Sequence, residues 1–157
     1  MPPEQDSVKI VAQNRKARHD FEIEDTYEAG MVLVGTEVKS LRNGECSIEE
    51  AYARPRDEEV FLYDMHIPPY PQATIQNHEP KRPRKLLLHR REIGRIVLQC
   101  AQRGYTLVPL QVYFKEGKAK VEIALARRRR KWDKREKTAA EERRKEARAQ
   151  LGRRTRG

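Results

Sequence analysis

The sequence predicts a mainly β domain with flanking helices, built as a small barrel of about six strands and followed by a basic C-terminal extension. Three observations carry that reading: short apolar runs bounded by turn residues, two segments of helical periodicity, and a break in charge near Ala126. The 157 residues hold 34 Lys/Arg and 24 Asp/Glu, a net charge of +10. From Arg127 to Gly157 there are 15 Lys/Arg and 5 Asp/Glu, so residues 1–126 cancel to zero. The expected organisation is a frayed terminus over 1–7, one domain with a modest core over 8–126, and a cationic tail over 127–157.

Taken in order, MPPEQDS at the start has neither an apolar run nor a basic region and reads as a frayed terminus rather than a signal peptide. His19–Glu24 alternates, with Phe21 and Ile23 on one face, and Met31–Val34 is an apolar run between Gly30 and Gly35; both read as strands. Thr36–Leu41 is helical and is closed by Asn43-Gly44. Ser47–Arg54 and Val60–Tyr63 are the next strands, with acidic turn residues between them. Pro68, Pro69, Pro71, Pro80 and Pro83 make Ile67–Arg84 a long extended loop with no barrel strand of its own. His89–Arg103 is an amphipathic helix laid on the sheet, with Ile93, Ile96, Val97 and Cys100 at i, i+3, i+4, i+7 and Gly104 closing it. Thr106–Phe114 and Lys120–Ala126 flank Glu116-Gly117, a hairpin signal. Short strands with a helix before the last hairpin suggest an OB-fold-like barrel, and pattern alone leaves a sandwich open.

Several classes of function fall away. No apolar stretch approaches the roughly 20 residues that span a bilayer, and the tail lacks an apolar face opposite its charges, so neither spanning nor lying on a membrane is expected. A cytoplasmic protein is the natural reading. Cys46 and Cys100, far apart and without CxxC spacing, read as two reduced, partly buried thiols. His19-Asp20, His66, His78 and His89 stand near carboxylates, but no Gly-framed serine, phosphate loop, HExxH or paired-cysteine spacing exists. No catalytic residue, metal site or cofactor is therefore expected.

The charge layout points instead to a polyanion. Each phosphate neutralised by Lys or Arg releases condensed counterions, and a structured nucleic acid is the partner that such a tail fits. A second basic feature comprises Lys81, Arg82, Arg84, Lys85, Arg90, Arg91 and Arg95, opposed within the segment only by Glu92. Acidic residues collect elsewhere, at Asp20, Glu22, Glu24, Asp25 and Glu28. Two cationic regions on a small domain, with Tyr70 and Tyr105 nearby, fit a structured RNA better than two unrelated solvated faces. On charge alone, a generic RNA chaperone or ribosome-associated RNA-binding protein fits as well.

Particular blocks narrow the choice. They are Asn14-Arg15-Lys16-Ala17-Arg18-His19-Asp20, Glu28-Ala29-Gly30, Gly35-Thr36-Glu37-Val38-Lys39-Ser40-Leu41-Arg42, His66-Ile67, Asn77-His78-Glu79-Pro80, Arg82-Pro83-Arg84-Lys85-Leu86-Leu87-Leu88, Gly104-Tyr105-Thr106-Leu107-Val108-Pro109-Leu110 and Asp133-Lys134-Arg135-Glu136. Together they cover about residues 8–140, and in them the chain resembles the bacterial SsrA-binding proteins, also called small protein B, which partner transfer-messenger RNA. The resemblance implies an OB-like barrel that grips the transfer-RNA-like domain of that RNA and carries it to ribosomes stalled on messages without a usable stop codon. It also implies that the protein stands where an anticodon arm would be, with its tail in the empty messenger channel of the small ribosomal subunit. Elongation factor Tu would be met through the aminoacylated RNA, and the protein would act as a monomer.

Residue by residue, the resemblance implies transfer-messenger RNA contacts at Glu28, Leu87 and His89, where the family often has Asn. The cations expected beside them are Lys39, Arg42, Arg82, Arg84, Lys85 and Arg91. A carboxylate such as Glu28 cannot face a phosphate favourably but accepts hydrogen bonds from base amino groups or 2′-hydroxyls, which gives selectivity. Leu87 would supply apolar contact to an unstacked base. For the decoding centre and messenger channel the implied residues are Arg127, Arg128, Arg129, Arg130, Lys131, Trp132, Asp133, Lys134 and Arg135. The family usually has Gly where this chain has Arg128, and commonly His or Tyr where it has Trp132, a ring expected to stack on a base. Residues 133–151 are rich in Ala, Glu, Lys and Arg but lack an apolar stripe, so the tail over 127–157 is expected to be largely disordered when free and helical in the channel.

Overall fold

The computed structural model describes residues 8–74, 76–129 and 139–149. The elements are β1 (Val8–Gln13), α1 (Arg15–Asp20), β2 (Phe21–Met31), α2 (Gly35–Arg42), β3 (Tyr52–Arg56), β4 (Glu59–Tyr63), β5 (Arg84–Leu87), α3 (Arg90–Cys100), β6 (Tyr105–Lys115) and β7 (Lys118–Arg128). Residues 139–149 form a further helix, exposed almost throughout.

All strand pairings are antiparallel, in the order β1-β6-β3-β4-β5-β2-β7, and β6 also pairs with β7. That last pairing closes six strands, β2 to β7, into a ring, as an OB-like barrel requires. Strand β6 is long enough for two neighbours on one side. Its first half meets β3 at Ala53↔Leu107, and its second half holds β1 from Gln13↔Gln111 to Val8↔Lys115.

Both short hairpins follow from their turn residues. Glu116 and Gly117 have φ of 53° and 75°, and Asp57 and Glu58 have φ of 50° and 63°, the doubly positive pairs that match strand twist in two-residue loops. Inside the ring, Val60, Leu62, Leu86, Leu107, Val121, Ile123 and Leu125 form the core with Ile96 of α3. A smaller cluster lies between α1 and the hairpin, where Ala17 meets Val108, Leu110, Ala124 and Ala126. The hairpin is thus buried on both faces there, which is why residues 107–110 and 123–126 are continuously buried.

Four expectations are corrected. His19–Glu24 and Met31–Val34 are not two strands: β2 is one strand of 11 residues, and His19 and Asp20 end helix α1. Asn14 starts that helix by accepting from the Ala17 N–H at 3.1 Å while its amide donates to the Pro109 carbonyl at 3.1 Å. Val32 and Val34 lie beyond the strand, exposed, because Val34 is the N-cap of α2 and its N–H donates to Glu37 at 2.9 Å. Ser47 makes only an isolated bridge to His66, and the strand assigned from residue 47 begins at Tyr52. Strands β1 and β5 are additional.

The proline-rich loop carries no barrel strand before Arg84, as expected, but it is pinned along its length. Asn77 brackets Tyr70, accepting from its N–H at 2.9 Å and donating to its carbonyl at 3.1 Å. His78 donates from Nε2 to the Ile67 carbonyl at 2.8 Å, which leaves Nδ1 to accept from the Thr36 hydroxyl at 2.8 Å.

Candidate nucleic-acid interface

One buried ion cluster holds the site's two halves together. Glu37 of α2 is fully enclosed, and its carboxylate meets Arg84 of β5 at 2.5 Å and Arg82 at 2.6 Å. Arg84 also donates to the carbonyls of Met65 and Pro80. Burial alone would push the Glu37 carboxyl upward, but hydrogen bonds from Arg82, the Val34 N–H and Arg84 outweigh it and hold Glu37 below the ordinary carboxylate range. The cluster fixes α2 against β5, and α2 then presents Lys39 and Arg42 one turn apart on its exposed side. The Arg42 guanidinium lies 4.9 Å from the Phe114 ring centroid, and Lys39 lies 5.5 Å from that of Tyr70.

Beside α2 runs a row of side chains on one face of the sheet. Register aligns Leu87 of β5, Gly30 of β2, Lys120 of β7, Tyr113 of β6 and Ile10 of β1. Facing residues of antiparallel neighbours share a face, so these five form one line across five strands. Glu28 belongs to the adjacent line, opposite Glu122. Gly30 interrupts the first line. A Cβ there would come within 3.4 Å of Leu87 Cβ and 3.7 Å of Lys120 Nζ. Its absence leaves a notch that opens into a cleft of about 290 Å³ between Leu87, Met31, Phe114, Lys118 and Lys120.

Electrostatics within the patch are mixed. The Glu28 carboxylate accepts from the Tyr113 hydroxyl at 2.5 Å and lies 3.5 Å from Lys115 Nζ; the Tyr113 hydrogen bond is the main reason its carboxyl stays below the usual range. Arg90, Arg91 and Arg95 of α3 and Lys81 are exposed. Among the described residues no group of His, Cys, Asp and Glu could hold a metal ion, and no helix is long and apolar enough to cross a membrane. Cys46 and Cys100 are free thiols, and burial pushes Cys46 up to about 11.

A family model described as SmpB protein matches residues 11–153. Similar curated proteins include the SsrA-binding proteins of Acidothermus cellulolyticus, 55% identical over 95% of this chain and 94% of the relative, and of Salinispora arenicola, 53% identical over 99% and 98%. The chain belongs to the SmpB family. A solved chain described as "tmRNA-SmpB: a journey to the center of the bacterial ribosome" is 48% identical, with a TM-score of 0.65 over 80% of this chain and 92% of that one.

The structure brings together part of the set that the SmpB resemblance singled out. Glu28 and Leu87 are on one face, Leu87 with 54% of its surface exposed; on α2, Arg42 reaches the carbonyl of Gly117, which lines the cleft beside Leu87, whereas Lys39 lies over Tyr70 and lines a separate cleft with Thr36 and His78. His89 stands at the N-cap of α3, where its N–H donates to Glu92 at 3.0 Å and its ring is left exposed. Lys85 pairs with Glu59 at 3.7 Å. Arg84 departs most from the surface role expected of it: it is wholly buried, because its guanidinium is committed to Glu37 and two carbonyls. Arg82, a third exposed, is likewise tied to Glu37 and to the Val32 carbonyl.

Tyr70 and Tyr105 are half-buried, and each has a cation over its ring. The start of the basic tail is part of the barrel. Arg127 and Arg128 end β7: Arg127 contacts Glu24 at 3.2 Å and the Tyr105 ring at 5.4 Å, while Arg128 lies 5.7 Å from the Phe21 ring centroid. The Arg129 N–H donates to the Asp20 carbonyl at 2.8 Å. Arg130, Lys131, Trp132, Asp133, Lys134 and Arg135 lie outside the described residues.

Lys118, Lys120 and Tyr113 were missed by the sequence reading. The signal was present in strand parity: once the Glu116-Gly117 turn fixes the hairpin register, Lys118 and Lys120 fall on the face opposite the core residues Val121 and Ile123, two positions apart.

Proposed function

We propose that this chain binds the transfer-RNA-like domain of transfer-messenger RNA and delivers it to stalled ribosomes for trans-translation; the name SsrA-binding protein, carried by its relatives, supports the RNA-binding part of that reading. The observation that carries the reading is the convergence of Glu28, Lys120 and Leu87 on one open face of the barrel, with Arg42 of α2 reaching Gly117 at its edge. Leu87 offers apolar surface to an unstacked base, and Glu28 accepts from base amino groups or 2′-hydroxyls. Lys118, Lys120, Lys39 and Arg42 supply the phosphate contacts that position the RNA without specifying it. His89 and Arg91, at the start of α3, extend the surface toward the chain's second basic region. Lys85 joins them from β5, and Arg82 and Arg84 act from beneath by holding β5 and α2 in place.

The tail has the second task. Arg127 to Arg129 set its point of departure from the barrel, and residues 130–135 with the helix over 139–149 enter the messenger channel of the small subunit, where Trp132 stacks on a base of the decoding centre. The protein acts without catalysis, metal or cofactor, as a monomer in the cytoplasm, and meets elongation factor Tu only through the aminoacylated RNA.

Two measurements test this. Affinity for the transfer-RNA-like domain over a bulk transfer-RNA pool separates a specific partner from a generic RNA chaperone, which would bind both alike. A reconstituted stalled ribosome then asks whether the protein lets alanyl transfer-messenger RNA accept the nascent chain; no transfer would refute the proposal.

A further inference from the structure

We infer that Tyr113 is a positioning residue for RNA recognition: its hydroxyl fixes one oxygen of the Glu28 carboxylate so that the other is presented to the RNA. The inference rests on reading Glu28 as an RNA-facing residue.

The geometry is specific. Tyr113 is on β6 and Glu28 on β2, with β7 between them, so the phenol reaches diagonally across a whole strand, past Lys120, to the carboxylate. The Tyr113 residue is only 5% exposed, whereas the Glu28 side chain is 41% exposed. A ring locked by burial therefore ends in a donor at the surface. An unrestrained glutamate samples several rotamers, and ordering one on binding costs affinity. The bond from Tyr113 removes that freedom beforehand.

The chemical identity of the donor matters too. Glu28 lies among cations, with Lys115 Nζ 3.5 Å from both carboxylate oxygens and Lys120 close by. Its ion pair with Lys115 is long, and without the phenol the carboxylate would close on that lysine or on Lys120, so that both the acid and a phosphate-binding cation would be lost to the RNA. A phenol holds the carboxylate without neutralising it. Glu28 stays ionised and its phenol partner stays protonated, because the hydrogen bond favours the acid's charged form while burial and Glu28's charge disfavour the phenolate. Oε2 takes the phenol, and Oε1, held only by a long 3.5 Å contact from Lys115 Nζ, has a lone pair left for a base amino group or a 2′-hydroxyl.

Binding of the transfer-RNA-like domain to full-length protein tests this with Tyr113→Phe, Glu28→Ala and the double variant. Phe keeps the buried ring, and circular dichroism verifies the fold. Tyr113→Phe is expected to weaken binding by roughly three- to tenfold, the scale of one hydrogen bond to a charged group. The slope of log affinity against log salt should stay unchanged, since no cation is removed. In the Glu28→Ala background the same substitution should have no further effect. A general structural role would instead lower affinity equally in both backgrounds and would overturn the inference, as would wild-type affinity in Tyr113→Phe. If Glu28→Ala itself bound normally, the reading of Glu28 would fail and the role of Tyr113 with it.

Discussion

Replacing Glu37 by Gln should cost more than any surface change at the interface, and the cost can be worked from the ion cluster. The carboxylate is fully buried and takes Arg84 at 2.5 Å and Arg82 at 2.6 Å. Gln has the same shape but no charge, and its amide nitrogen would face an arginine donor. Arg84, itself wholly buried, would keep only two carbonyl acceptors. Breaking a buried pair by removing one partner costs about 3–5 kcal/mol. Against a total of roughly 5–15 kcal/mol for a domain, that is a large fraction, and for a body of this size it lowers the melting temperature by roughly 10–20 °C. Arg82→Gln, at a side chain one-third exposed, should cost only about 0.5–1.5 kcal/mol.

Urea titrations of the three proteins give the comparison, and pH sharpens it. Because the folded-state value of Glu37 lies below its unfolded value, the carboxylate's contribution is present above the ordinary carboxylate range and is lost as pH falls through the folded value. The gap between wild type and Glu37→Gln should therefore be full near neutrality and narrow on acidification below about pH 4. A loss under about 1 kcal/mol at neutral pH, or a gap that widens with acid, would refute the account of Glu37 as the tie between α2 and β5.

The other predictions concern the RNA and the tail. Leu87→Ala should leave stability within about 0.5 kcal/mol, since Leu87 is 54% exposed, yet weaken RNA binding by about 1 kcal/mol, roughly fivefold; a stability loss without an affinity loss would return Leu87 to the core. Lys118→Gln with Lys120→Gln should flatten the dependence of log affinity on log salt by about 0.7–0.9 units for each phosphate contact removed, and an unchanged slope would take the cleft out of the interface. A chain ending at Arg129 should fold and bind the RNA but fail in rescue, whereas tagging at normal rates would refute the division between body and tail. Trp132→Ala should lose about 1–3 kcal/mol of accommodation on the ribosome while Trp132→Tyr keeps most of it, with the melting temperature of the free protein hardly moved.

The closed barrel was legible because its most informative segments obey strand rules locally. The Glu116-Gly117 turn, the amphipathic period of α3 and the two runs that flank that turn, Thr106–Phe114 and Lys120–Ala126, each point to the same architecture. Where the sequence misled, a second partner had overridden the local pattern. The apolar run at Met31–Val34 looks like a strand buried on both faces, yet Val34 serves α2 by giving its N–H to Glu37, a contact three residues ahead that no alternation signals. Strand β5 alternates Arg84, Lys85, Leu86 and Leu87 as in, out, in, out; a charged residue at an inward position conceals the parity unless its buried partner, 47 residues away, is known. Strand β1 escaped notice because Val8 and Ile10 lie half exposed on an edge.

The same reasoning separates the two kinds of arginine in this chain. Arg84 and Arg91 are indistinguishable in composition, and both belong to the basic segment from Lys81 to Arg95. Their fates diverge through backbone position alone: Arg84 falls on the inward parity of a strand facing Glu37, and Arg91 on the outer side of a helix. A count of positive charge therefore overstates the surface available to RNA, because Arg84 and most of Arg82 are consumed in building it. Strand register, once the hairpin turn has fixed it, brings forward Lys118 and Lys120, two cations that the charge map had not marked. Glu37 is the hinge of this exchange: one buried carboxylate converts two arginines from candidate ligands into the frame that ties α2, which carries Lys39 and Arg42, to β5, which carries Leu87.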